Sequence, residues 1–118
     1  MIKYYYSMKF ITSINYFIWL LLSIIFFGIG EFLSKKFALN PKWTFVIGVL
    51  ISYSIGALLW LPAILQKNNL SIIGAMWSVL SFIITILIGI VIFGEKLSSL
   101  GIIGLILGLT SITLLSLA

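Results

Sequence analysis

The sequence predicts an all-α integral membrane protein, four transmembrane helices in a compact bundle that assembles as a dimer. Three observations predict it. Of 118 residues, 63% are hydrophobic and 8% charged, whereas a soluble domain is nearer half apolar and a quarter charged. The apolar residues fall into four runs of about 20, each long enough to cross roughly 30 Å of hydrocarbon as a helix. The runs lack the alternating polarity of a transmembrane barrel, and in lipid a helix satisfies its own backbone hydrogen bonds. A single transmembrane domain over residues 1–118 follows, with no room for a separate soluble domain.

Residues 1–13 are basic and aromatic. Lys3, Lys9, Tyr4, Tyr5, Tyr6 and Phe10 suit a segment at headgroup level. The apolar run that follows is longer than a signal-peptide core and has no clear small-residue cleavage site, so it is read as an uncleaved first span. That span covers about residues 14–34 and is free to stay helical as far as Leu39, where Asn40-Pro41 turns the chain, because the residue before a proline avoids the helical region. The second span, 43–65, is bracketed by Lys42 and Lys67 and ends in the polar turn Gln66-Lys67-Asn68-Asn69. The third runs over 70–93. Gly94-Glu95-Lys96 links it to the fourth, 97–117, with Glu95 read as a solvated cap for that last span.

The net charge is +5, from seven lysines and two glutamates. The lysines stand between apolar runs, which marks interface anchors and not a nucleic-acid surface. With no Cys, His or Asp, a disulfide, a thiolate centre and a protein-built metal site are not expected. No cofactor is expected, and no nucleophile–base pair suggests an enzyme. Four spans put both termini on one side, with Lys3, Lys9 and Lys67 against Lys35, Lys36, Lys42 and Lys96 on the other. Orientation follows the lysine and arginine difference, and this near balance leaves open a fixed orientation or insertion both ways with antiparallel pairing. The expected location is the cell (inner) membrane.

Glu31 lies within the apolar stretch from Ile24 to Leu33. Ionisable residues in spans are costly and usually face a bundle interior or an aqueous cavity. A carboxylate in that position can trade a proton for a cationic substrate. The alternative is an interfacial pair with Lys35, four residues on along the same helix face. Lys35 either lines the same cavity, which would suit an anionic substrate, or snorkels to the headgroups as Lys36 does. Tyr53, Gly56 and Trp60 share one side of span two. Trp77, Ser81 and Thr85 repeat every four residues in span three. Such rings and hydroxyls suit an amphipathic organic substrate, and ordinary helix packing uses small residues as well. Gly104 and Gly108 are spaced for close helix approach.

Two stretches carry a family resemblance that covers roughly residues 14–117. The first is Gly30-Glu31-Phe32-Leu33-Ser34-Lys35-Lys36. The second runs from Ala75-Met76-Trp77-Ser78 through Phe93-Gly94-Glu95-Lys96-Leu97-Ser98 to Ile102-Ile103-Gly104. The chain resembles the short four-helix members of the drug/metabolite transporter superfamily, the small multidrug resistance exporters and EamA-like half-size proteins. Glu31 matches the membrane glutamate at which the small exporters bind either protons or a cationic substrate. Lys35 matches a lysine of the EamA-like and aminosugar flippase relatives. Trp77 and Tyr53 match aromatic positions of the small exporters. Gly74 stands where those exporters usually carry a tyrosine, and Val79-Leu80-Ser81 lacks their bending glycines.

The resemblance implies a secondary transporter for a small cationic or amphipathic substrate, coupled to protons at Glu31, with Tyr53, Trp60, Trp77 and Ser81 around it. Its partners would be the lipid bilayer, the substrate, protons, and a second copy or a similar short chain. Two alternatives are a carrier or flippase in which Lys35 meets an anionic or lipid-linked substrate, and a non-transporting membrane assembly subunit.

Overall fold

The computed structural model describes residues 9–118. The expected headgroup segment falls largely on residues 1–8, outside the described residues. Residues 9–13 are helical and are tied down by two side chains. The Trp19 indole N–H donates to the Ile11 carbonyl at 2.9 Å, and the Gln66 amide donates to the Ile14 carbonyl at 2.6 Å.

Helix α1 spans Tyr16–Leu39. Asn15 caps it, its side-chain oxygen accepting from the Phe17 N–H at 2.8 Å, which satisfies one of the free amides of the first turn. No helix breaker stands between Ser34 and Leu39, so Lys35 and Lys36 are helical. Helix α2 spans Trp43–Gln66 and contains Pro62, which is buried. Helix α3 spans Leu70–Leu87 and continues as a π-helical turn over Ile88–Ile92. Gly94, at φ 64°, ends it in a conformation that costs glycine nothing. Helix α4 spans Ser99–Leu117. Its cap is Ser98, whose hydroxyl accepts from the Gly101 N–H at 3.2 Å, so Glu95 is released from the capping task the sequence suggested. All four helices are long and apolar enough to cross a membrane, and the described residues contain no strand. The chain is a multi-pass membrane protein.

Helix α1 is the hub. It packs along α2 and against α3, while α4 packs on α3. The principal extents are 53 × 39 × 16 Å. The four helices form an all-α bundle in which α1, α2 and α3 meet around Leu20, Ala63 and Ile73, and α4 lies against α3. Lipid tails are as apolar as leucine, so no hydrophobic force selects which helix faces meet. Polar ties and close approach decide the packing instead.

Both act between α1 and its neighbours. Leu20, Ala63 and Ile73 form the buried centre, surrounded by Tyr16, Trp19, Trp60 and Met76. Beside them, the buried Ser23 hydroxyl donates to the Gly56 carbonyl at 2.8 Å and accepts from the Trp77 indole N–H at 3.1 Å. One side chain thus joins α1, α2 and α3. Gly56 lets α1 come this near, since a Cβ there would lie 3.3 Å from the Ser23 carbonyl oxygen.

Ser23→Ala removes both bonds and leaves the Trp77 N–H unpaired. Interhelical hydrogen bonds in bilayers are worth about 0.5–2 kcal/mol. Reversible unfolding in mixed micelles should show a loss of that size for Ser23→Ala, and no loss for Ile18→Val on the exposed face of α1.

Candidate functional site

The polar and aromatic residues of α1 form a slowly drifting stripe. Ser23, Phe27, Glu31 and Lys35 stand four residues apart, a spacing that places successive side chains one above the next. Each finds a partner on another element. Phe27 stacks on Tyr53 of α2, with ring centroids 5.3 Å apart and planes at 20°. It also meets Trp77 of α3 edge-on at 5.0 Å. Trp77 in turn meets Trp60 edge-on at 6.3 Å. Offset and edge contacts of this kind suit the ring quadrupoles.

The Tyr53 hydroxyl donates to Glu31 Oε1 at 2.5 Å. Tyr53 reaches the carboxylate because residue 30 has no side chain: a Cβ on Gly30 would collide with the Tyr53 ring. The same helix pair closes further along at Gly48, where a Cβ would lie 2.8 Å from Leu33 Cδ1. Small residues thus bring α2 close enough for a tyrosine to serve the only carboxylate within a span.

Two cavities flank this bond. The larger, about 490 Å³, is lined by Ser23, Phe27, Tyr53, Trp60, Trp77 and Ser78, with Gly56, Ala57 and Gly74 completing it. Its walls are aromatic and small, and none of its lining residues is charged. The smaller, about 290 Å³, is lined by Glu31, Ser34, Lys35, Thr85, Phe93 and Glu95, with Ile88 and Gly89 beneath. Tyr53 belongs to the first and bonds Glu31, which belongs to the second. The Glu31–Tyr53 pair therefore lies between an aromatic cleft and a charged one.

The lysines divide. Lys35 Nζ is 3.7 Å from Glu95 Oε2 and 5.9 Å from the Phe93 ring centroid. Both side chains are partly exposed, 36% and 49%. Lys36 instead lies over the Phe32 ring at 5.5 Å. The hydrogen-bond partner of Glu31 is Tyr53, and Lys35 is paired with Glu95.

Of the residues singled out from the sequence, Tyr53, Trp60 and Trp77 meet at the aromatic cleft, and Glu31 joins them through Tyr53. Lys35 is one turn further on, in the charged cavity. Ser81 is buried, and its hydroxyl donates to the Ser78 carbonyl of its own helix at 3.0 Å. Gly108 packs against Phe82 of α3, where a Cβ would lie 3.3 Å from the ring, whereas nothing lies within 4 Å of a Cβ on Gly104. Four contributors escaped the sequence reading: Ser23, Phe27, Gly30 and Glu95. The four-residue stripe leading back from Glu31 was the signal for Ser23 and Phe27. Glu95 gave none, because its partner is 60 positions away.

Four membrane-length helices with a lone intramembrane carboxylate beside an aromatic cleft describe a small membrane transporter. The family model described as Small Multidrug Resistance protein matches residues 7–107, and the chain belongs to that family. The role that comes with the family is transport across the membrane, not enzyme catalysis. No curated protein and no solved structure matches the chain.

Gly30→Ala overpacks the α1–α2 contact and pushes the Tyr53 ring off Glu31. Overpacking of this kind costs about 1–3 kcal/mol. Gly74→Ala, where a Cβ meets nothing within 4 Å, should be neutral or stabilising. Unfolding midpoints of the two variants in one detergent distinguish them.

Proposed function

We propose that the chain is a proton-coupled exchanger or exporter of small amphipathic organic cations that works as a dimer. The observation that carries this reading is the Glu31–Tyr53 pair at the edge of the aromatic cleft. A cation lying against Phe27, Trp60 and Trp77 gains from the negative ring faces, an attraction of about 0.5–2 kcal/mol per contact. Its charge is balanced by the Glu31 carboxylate, the only acidic group within a span. A proton on Glu31 removes that charge, so proton and substrate compete for one site. Competition at one site, exposed to each side in turn, couples the two fluxes.

Size and charge support the same class of substrate. A volume of about 490 Å³ falls in the range of roughly 300–1,000 Å³ typical of small-molecule sites. An anionic substrate would need a free ammonium, and Lys35 is engaged by Glu95.

The dimer reading rests on the exposed face of α4. No residue of helix α4 is fully buried, and Leu100, Leu107 and Leu114 are 78%, 64% and 63% exposed. Four helices enclose little space, and two copies would enclose a path, with the pairs of Glu31 and Tyr53 near the middle. The near balance of lysines between the two sides suits either an antiparallel homodimer or a pair with a similar short chain.

Proteoliposomes test the reading. Wild type should take up tetraphenylphosphonium into vesicles that are acidic inside, in exchange for outgoing protons, and Glu31→Gln should reduce that uptake to the level of empty vesicles. Normal transport by Glu31→Gln with an unchanged pH dependence would overturn it.

A further inference from the structure

The chain carries an ammonium group one helical turn from its proposed cation site, which raises the question of what keeps the two apart. Lys35 and Glu31 are four residues apart on α1 and line the same 290 Å³ cavity. Side chains so spaced on a helix are neighbours. A tethered amine has an effective concentration in the millimolar range. If it reached Glu31, it would compete with any cationic substrate at the one carboxylate that matters.

The link between α3 and α4 supplies an alternative partner, and three features hold it in place. The π-helical turn shifts the backbone pairing, with the Phe93 N–H donating to the Ile88 carbonyl at 3.3 Å and the Glu95 N–H to the Gly89 carbonyl at 3.0 Å. Gly94, at φ 64°, folds residue 95 back over the helix end. Gly89 leaves the space: a Cβ there would lie 2.8 Å from Glu95 Oε1. Phe93 also stacks on Phe32 of α1 at 5.5 Å, fixing the link to the helix that carries Lys35. The charged and titratable groups around Glu31 are thus Lys35 on its own helix, Tyr53 on α2 and Glu95 on the link. Helices α3 and α4 carry no charged residue.

We propose that Glu95 is a positioning residue that holds the Lys35 ammonium away from Glu31 and so keeps Glu31 available to cationic substrates. Glu95 does not touch the substrate; it acts through Lys35. This rests on the reading of Glu31 as the cation site. Removing the Glu95 charge frees Lys35 to pair with Glu31, and removing Lys35 as well takes the competitor away.

Two measurements test it. The first needs no ligand. Zero-length carbodiimide coupling of the folded protein, followed by peptide mapping, should join Lys35 to Glu95 in wild type and Lys35 to Glu31 in Glu95→Gln. The two glutamates are the only acidic side chains, so the products are easily told apart. A Lys35–Glu31 product in wild type, or its absence in Glu95→Gln, would overturn the proposal whatever the substrate. The second is tetraphenylphosphonium binding by wild type, Glu31→Gln, Glu95→Gln and the double variant Glu95→Gln/Lys35→Met. Glu95→Gln should bind about tenfold more weakly, the size expected of one unit charge moved next to a partly solvated site. The double variant should return to within about threefold of wild type, since removing both members cancels the coupling. Loss of binding in Glu31→Gln alone, with Glu95→Gln binding like wild type, would sink the positioning role and leave the cation site standing. Equal binding by wild type and Glu31→Gln would instead sink the cation site. A Glu95→Gln defect that persists in the double variant would mark Glu95 as merely structural.

Discussion

A carboxylate on a membrane-length helix is costly unless it finds a polar partner, and the packing of α1 on α2 turns on where Glu31 finds its own. Unsatisfied polar groups are expensive in lipid. Glu31 meets the constraint by accepting the Tyr53 hydroxyl across the α1–α2 contact. That bond requires the two helices to approach at Gly30, and the approach places Phe27 flat against Tyr53. Phe27 and Ser23, one and two turns earlier, then meet Trp77 from α3. The aromatic cleft is thus the consequence of satisfying polar groups along one face of α1. No buried side-chain nitrogen or oxygen among the described residues lacks a partner.

The fold class was legible because length and polarity alone decide it. A run of apolar residues long enough to span lipid, ended by Asn40-Pro41 or by Gln66 to Asn69, admits little but a helix. Glu31 was legible for the same reason, as a charge where charges are costly. The order of the helices was not. Apolar faces in lipid carry no preference for one another, so the sequence could not say that α1 packs between α2 and α3 while α4 lies at the edge.

Partners were the second gap. Helical spacing made Lys35 the natural mate of Glu31, yet each is taken by a residue remote in sequence. Tyr53 was recognised as a site residue, but its bond to Glu31 depends on a glycine beside the glutamate. Glu95 resembled a capping residue, and Ser98 performs that task. The turn that returns Glu95 to Lys35 depends on a π-helical irregularity and a positive φ at Gly94, neither of which leaves a periodic trace. Ser81 shows the converse: it falls on the right stripe of α3, and its hydroxyl is spent on its own helix.

The central claim is that protons and an organic cation compete for Glu31. Proton release from detergent-solubilised protein, recorded in weak buffer as a lipophilic cation is added, tests it most directly. The account predicts release by wild type and none by Glu31→Gln under the same conditions. Release of equal size from the two proteins would show that the displaced proton does not come from Glu31 and would contradict the account.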